Sequence, residues 1–483
     1  AKSEILDLKR GDIPSFHIGI TDNKLYSSED KFIKAPWKLT PLEEVEEKIY
    51  NMGKADYQRQ IAIIKAHYRY TDYTINKTGL NFFPGNTIQE YDREKMVCDI
   101  EQIADLLLDK SIYGHTNSGK IGRTWVGLRS MNEHTHYVDC IGNALYSGNG
   151  GVALFIAYLA MVTQDKKWFK LTDEIVETIL EEITNNGVTS SDNIGAFAGV
   201  FGEIYIIDII STLLDDAALG KQMKEALISA YNRFDRMVNV NDIINGYAGI
   251  LGVFLHFYEK YKSQELLNIC SEIADKIIKN SKYDIESGGI YWDDGYSGYA
   301  HGNAGISAQL SRYVNISRDI QKNNYISQAI QFDRSLVDNN SGMWKKRIND
   351  PFVSYTWCNG ATGMLLNRIT LKKSGYKDET IDFEIRKLVE AVKNNGFGKD
   401  YAVCHVDLGN LAILKYVANQ FDDISLYNAC DATCFLFYQT YYNLNNFLEE
   451  EVWGFMTGLS GIGVSLLDFY TGKNYIANIL MLK

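Results

Sequence analysis

Proline is scarce and unevenly spread: of five, Pro14, Pro36, Pro41 and Pro84 lie near the start, and only Pro351 lies beyond them. Proline interrupts helix interiors, so a stretch this poor in it can be helical nearly throughout. Long apolar runs are also missing. None approaches the ~20 residues a membrane-spanning helix needs, which excludes an integral membrane segment of that kind. The opening AKSEILDLKR is charged and lacks the apolar stretch of a secretory signal. It also lacks an initiator Met, and a processed chain or a piece of a longer one is expected. Positive charge is in deficit, with 49 Lys and Arg against 61 Asp and Glu and a net charge of -12. That excludes a broad basic surface for nucleic acid. Cysteines are few, odd in number and scattered (98, 140, 270, 358, 404, 430, 434). Such a set argues against a disulfide framework and for a reducing compartment, taken here as the cytoplasm.

What is present is apolar mass: 483 residues, 46% hydrophobic, enough to bury a large core. Two regions read differently. Residues 1 to about 85 combine a loop-like LKRGDIPSF with the helical pattern of TPLEEVEEKIYNMGKADYQRQIAIIKAHYRY. There Thr40 is placed to cap a helix, with Pro41 at its first position and carboxylates in its first turn. No catalytic constellation is visible in this region.

From residue 86 to 483 a repeat emerges. Glycine-rich knots recur, each followed by an apolar helical run: SGNGGVALFIAYL from Ser147, GAFAGVFGEIYII from Gly195, NGYAGILGVFLHF from Asn245 and HGNAGISAQLSRY from His301. NGATGMLLNRI from Asn359, VDLGNLAILKYV from Val406 and TGLSGIGVSLLDF from Thr457 complete seven. Each carries Gly-x-x-Gly or a degenerate form, with Ala196 and Val406 read as replacing the first Gly. The second Gly then falls at 151, 199, 249, 305, 363, 409 and 461, a spacing that fits two helices and their connections. The expected fold is all-α, an (α/α)7 toroid of seven inner and seven outer helices. An open solenoid of helical hairpins is the alternative. Closure is favoured because the inner runs are apolar on most faces, as buried helices are.

In register, the residues just ahead of each knot share one rim, where helix N-termini converge. Asp242 precedes the third knot, His301 the fourth, Cys358 the fifth, and Cys404 with His405 the sixth. Two thiolates and an imidazole suit zinc, and three protein ligands leave a fourth position for water or substrate. Taken singly, Cys358 and Cys404 read as small buried hydrophobes; their matching rim positions favour the metal. Cys430 and Cys434 share a helix face in LYNACDATCFLF with no nearby His, and read as core packing. His134 and His136 in NEHTHYVDC read as a solvated loop pair. His256 reads as a core or surface residue, and His17, His67 and His115 have no partner pattern.

The seven knots, GYAHGNAG around His301, WCNG at Cys358 and the Cys404-His405 pair resemble the lanthionine synthetase C-like family over roughly residues 90 to 483. More narrowly, TWVGLR from Thr124 and LYSGNGGVALFIAYLA from Leu145 resemble the cyclase half of class II lanthipeptide synthetases. GDIPSF and the LEEVEEKI helix resemble the end of the dehydratase that precedes it in those bifunctional enzymes, which assigns residues 1–85 to that end. The resemblance implies one Zn2+ per chain on Cys358, Cys404 and His405, and thioether ring closure in a ribosomal precursor peptide. A peptide cysteine thiol adds to dehydroalanine or dehydrobutyrine, His301 serves as general acid, and Asp242 orients it or assists thiol deprotonation. Asp242 alternatively reads as a helix N-cap. The implied partner is the precursor peptide, leader plus dehydrated core; association with an export transporter is a further expectation. Two departures stand out. Asn359 and Ser354 occupy positions where the family often has Tyr or His and Arg, and Val406 replaces the usual Gly. Two other functions compete: addition of glutathione or another small thiol, and a toroid that only binds peptide.

Overall fold

A computed structural model describes residues 2–54 (without 30, 35 and 36), 56–57, 60–61, 64, 81–82 and 92–483 (without 133–134, 185–193, 235–236, 349, 400, 406 and 444–451). The chain divides into two compact units, 1–68 and 69–483. The boundary expected near residue 85, like His67, His134 and Val406, lies outside the described residues.

The first unit holds α1 (Lys2–Lys9), an antiparallel sheet of β1 (Phe16–Ile18), β2 (Lys24–Ser27) and β3 (Phe32–Lys34), and α2 (Pro41–Asn51). Thr40 caps α2: its Oγ1 accepts Glu43 N at 3.2 Å while Glu43 Oε2 accepts Thr40 N at 2.8 Å. This reciprocal pair satisfies two N–H groups that a helix start otherwise leaves open.

In the second unit α3 (Arg93–Lys110) is followed by two antiparallel hairpins, β4 (Ile112–His115) with β5 (Ile121–Thr124) and β6 (Val126–Asn132) with β7 (Thr135–Cys140). His136 therefore belongs to a strand, not the loop expected; Tyr137 and Val138 beside it favour extended backbone. Seven pairs of helices follow. They are α4 (Asn149–Thr163) with α5 (Lys166–Thr184), α6 (Val200–Leu213) with α7 (Ala217–Phe234), α8 (Tyr247–Tyr261) with α9 (Gln264–Lys279), and α10 (Asn303–Ser317) with α11 (Asn323–Ser335). The last three are α12 (Ala361–Lys373) with α13 (Ile381–Asn395), α14 (Asp407–Phe421) with α15 (Ile424–Asn443), and α16 (Leu459–Thr471) with α17 (Tyr475–Met481).

The even-numbered helices from α4 to α16 form the inner ring; each touches the next, and α16 touches α4, so the toroid is closed. Their sequences explain their place. In α4 every residue from Asn149 to Ala160 is buried, because an inner helix has ring neighbours on two sides and the interior on a third. By contrast α5 buries Trp168, Leu171, Ile175 and Ile179 at helical spacing and leaves Lys166, Lys167, Lys170 and Asp173 exposed, as an outer helix should. Outer helix α3 packs on α16 and α4. Helix α17 instead runs into the interior, where Arg312 Nη1 donates to Met481 O at 2.8 Å and Tyr205 Oη donates to Lys483 O at 3.0 Å.

The knots are tight for a steric reason. A Cβ on Gly305 would lie 1.9 Å from Tyr299 O, and one on Gly409 1.8 Å from Val403 O. The same contact, with the carbonyl six residues back, corrects the register of the second repeat. A Cβ on Gly202 would lie 2.2 Å from Ala196 O, and Gly199 caps α6, so its pair is an intact Gly199-x-x-Gly202. The degenerate assignment at Ala196 followed the wrong one of two overlapping glycine spacings.

With that register, the residue two before each first glycine position defines a station: Tyr146, Phe197, Ile244, Ala300, Cys358, Cys404 and Met456. Backbone hydrogen bonds thread these stations into a hoop. Tyr146 N donates to Phe197 O (2.8 Å), Phe197 N to Ile244 O (3.1 Å), and Ala300 N to Cys358 O (3.2 Å). Cys404 N donates to Met456 O (3.1 Å) and Met456 N to Tyr146 O (2.9 Å), while Ile243 N bonds Ala300 O at 2.9 Å in place of Ile244.

Candidate metal centre

Cys358 and Cys404 are consecutive stations of the hoop, and His405 is the next residue along the chain. One ligand atom from each lies within 4.8 Å of the other two. Both cysteines are buried, at 2% and 0% exposure, whereas His405 is exposed, so the three donors face both the packed interior and the rim. Cys404 Sγ is in hydrogen-bond contact with His405 Nδ1. The Cys358 thiol approaches Cys404 O at 3.4 Å.

The two sulfurs are electrostatically unlike. Burial pushes Cys404 up, but hydrogen bonding from Cys358, His405 and Tyr146, with the His405 charge, outweighs it and brings the thiol down to about 6. Donation to Cys404 and burial push Cys358 well up. Two sulfurs, one of them drawn toward the thiolate form, and an imidazole make a soft donor set that fits Zn2+.

Tyr146 is the residue that sequence reasoning missed. It occupies the station of the first repeat, and its Oη donates to Cys404 Sγ at 3.1 Å. Burial, then the Cys404 and Cys358 charges, push its phenol up. The signal was available: among seven stations only Tyr146 carries a hydroxyl.

Asp242 and His301 also meet. His301 Nδ1 lies 2.8 Å from Asp242 Oδ2, while Asp242 Oδ1 accepts Asn245 N at 2.8 Å. The N-cap of α8 is Gly246, so Asp242 ties the preceding turn rather than capping the helix. The His301 side chain is 42% exposed. Ala300, its neighbour, is bonded to the Cys358 backbone, which sets His301 on the station next to the cysteines.

The remaining candidates lie elsewhere. Cys430 and Cys434 are buried in α15, and burial pushes Cys434 up to about 12. His256 is bonded to Asp208 at 2.9 Å, far along α8 from its knot, and Asp208 also takes Lys260 at 2.8 Å. His17 stacks on Tyr26 in the first unit, and His115 is exposed on β4.

Residues 139–481 match the sequence model of a family described as lanthionine synthetase C-like protein. The chain belongs to that family. A curated relative, the lacticin 481/lactococcin biosynthesis protein LcnDR2 of Lactococcus lactis subsp. lactis, is 23% identical over 503 residues. The alignment covers 98% of this chain and 51% of the relative, so the chain spans about half the length of the curated relative it matches. A solved structure of nisin cyclase aligns with a TM-score of 0.54 at 20% identity, over 70% of this chain and 92% of that one, which is a likeness of fold. In this lanthionine synthetase C-like protein two polar residues flank Cys358 closely. Ser354 Oγ is 3.2 Å from Thr356 Oγ1, and Asn359 Oδ1 is buried without a hydrogen-bond partner. Among the described residues no helix is long and apolar enough to cross a membrane.

Proposed function

We propose that this chain is a zinc-dependent lanthipeptide cyclase that closes thioether rings in a ribosomally made, dehydrated precursor peptide. The observation that carries the proposal is the meeting of Cys358, Cys404 and His405 within 4.8 Å at one rim of the toroid. Those three residues would hold one Zn2+ per chain, and the ion when bound would supply a fourth position that holds a substrate thiol as thiolate. Family membership and the nisin-cyclase-like fold support the same assignment.

The chain's residues then divide the proton work. In the addition, the sulfur–carbon bond forms at the β-carbon of dehydroalanine or dehydrobutyrine, and the displaced π pair makes an enolate. Asp242 accepts from His301 Nδ1 and thereby fixes the ring, leaving Nε2 as the acid that protonates the α-carbon. The thiol loses one proton and the α-carbon gains one, so the imidazole is recharged over each cycle. Its partial exposure suits contact with a long peptide. Since LcnDR2 is about twice as long as the aligned region, we further propose that the first unit is the end of a preceding dehydratase domain. A reducing, cytoplasmic setting suits the cysteine content.

Ring closure leaves mass unchanged, so the test counts thiols. A model peptide bearing one dehydroalanine and one downstream cysteine is incubated with zinc-loaded protein, then alkylated and weighed. Loss of the alkylatable thiol, abolished in Cys404→Ala with helix content retained, is expected. Equal thiol loss with Cys404→Ala would overturn the zinc assignment. Glutathione adducts formed in preference to rings would overturn the intramolecular one, and no reaction at all would favour a toroid that only binds peptide.

A further inference from the structure

Tyr146 lies two stations from Cys404 around the hoop, and its aim is fixed by the backbone. Its N–H donates to Phe197 O at 2.8 Å and its carbonyl accepts Met456 N at 2.9 Å, so both sides of its peptide are held. From that anchorage the side chain crosses the rim and places its hydroxyl 3.1 Å from Cys404 Sγ. A buried tyrosine hydroxyl needs a partner, and a carbonyl would serve as well. Here the partner is a sulfur of the metal set.

We propose that Tyr146 is a positioning residue of the zinc centre, whose O–H···S hydrogen bond withdraws electron density from the Cys404 thiolate and sets how strongly that sulfur donates to the metal. The inference rests on the cyclase reading's metal site and deepens it. Hydrogen bonds to ligand atoms from surrounding side chains orient the ligand and tune the metal. A thiolate that already accepts a hydrogen bond is a weaker donor, which leaves the ion a stronger Lewis acid for the incoming thiol. Cys358 accepts from no such phenol; its thiol faces the Cys404 carbonyl and donates to the Cys404 side chain. The two sulfurs would therefore bind unequally, with Cys404 the weaker donor.

The test replaces zinc with Co2+, whose thiolate charge-transfer absorption reports sulfur donation directly and needs no peptide. In Tyr146→Phe, which keeps the ring and removes the hydroxyl, the band is expected to move to lower energy, because an unbonded thiolate gives up charge more readily. With 3-fluorotyrosine placed at position 146, a more acidic phenol and stronger donor of almost the same shape, the band is expected to move to higher energy. Opposite shifts in the two proteins establish the hydrogen bond as electronic. A band unchanged in both, on wild-type protein that takes up cobalt through its cysteines, overturns the role of Tyr146 and leaves the metal site intact. Absence of any thiolate charge-transfer band in cobalt-treated wild type overturns the metal site itself, and the inference with it. Should Tyr146→Phe fail to fold, the fluorotyrosine arm alone decides by the presence or absence of its shift.

Discussion

Cys358 and Cys404 stand at consecutive stations of the hoop, yet among the described residues theirs is the one junction that no backbone hydrogen bond crosses; the Cys358 thiol meets the Cys404 carbonyl instead. A metal held by both cysteines would close that junction through its ligands. Zinc is accordingly expected to slow amide hydrogen exchange in the segments around Tyr355–Asn359 and Val403–His405, with little change at the Tyr146–Phe197 junction. It should also stabilise the fold, by about 2.7 kcal/mol at free zinc 100 times its Kd. Thermal melts with zinc and with chelator, beside exchange by mass spectrometry, check both. Uniform slowing around the whole hoop would contradict a local closure.

His301 and Asp242 should separate chemistry from metal binding. His301→Asn is expected to lower ring closure by about 10²–10⁴-fold, the usual share of a general acid, while zinc content stays at one per chain. Asp242→Asn should cost less, because its one amide oxygen can still accept from the ring nitrogen, at the expense of the bond from Asn245 N. Elemental analysis beside thiol counting distinguishes the two effects. A fall in zinc content in either variant would place the residue among the metal's supports instead.

Much of this site was legible because repeats convert sequence spacing into spatial position. Cys358, Cys404 and His405 are far from a finger spacing, but their distance from the knot glycines put them on one rim. Legibility failed where two spacings overlapped. Ala196, Gly199 and Gly202 offer two frames, a degenerate Ala-x-x-Gly and an intact Gly-x-x-Gly, and the close approach of Gly202 to the Ala196 carbonyl decides between them. Tyr146 was not legible as a site residue because a tyrosine is not a usual zinc ligand, and its partner Cys404 is remote in sequence. The strand at His136 has a different origin: a hairpin on a helical toroid follows local β propensity, which the glycine repeat does not encode.

The knot glycines make a steric claim. In Gly305→Ala the added methyl would lie 1.9 Å from Tyr299 O, backbone that the Tyr299 N to Trp357 O bond holds in place at 3.0 Å. A loss of about 2–4 kcal/mol is expected, at the upper end for single substitutions. Gly114→Ala, in β4 with nothing within 4 Å of its would-be Cβ, is the control and should fall within about 0.5 kcal/mol of wild type. Urea denaturation at fixed zinc concentration measures both. Comparable losses in the two variants would mean that the knots tolerate side chains and are not held by close packing.

Glu203 makes a claim about pH. It is buried in the first turn of α6, and burial, followed by the Glu182 charge, pushes its carboxyl up to about 8 from an ordinary 4.5. A carboxyl raised on folding binds its proton more tightly in the native state. It therefore contributes stability fully below the unfolded pKa, near 4.5, and loses that contribution as pH rises through about 8. Glu203→Gln keeps the shape and cannot ionise, so it is expected to close part of the gap between wild-type melting temperatures at pH 5 and pH 9. The gain over wild type should be small at pH 5 and largest above pH 8, growing across the interval in which wild-type Glu203 ionises. Melts of both proteins in matched buffers measure it, and the pH dependence that the cysteines add, being common to both, cancels in the difference between them. A variant whose melting temperature runs parallel to wild type across the whole range would show that Glu203 finds water or a cation in solution and is not held protonated by the core.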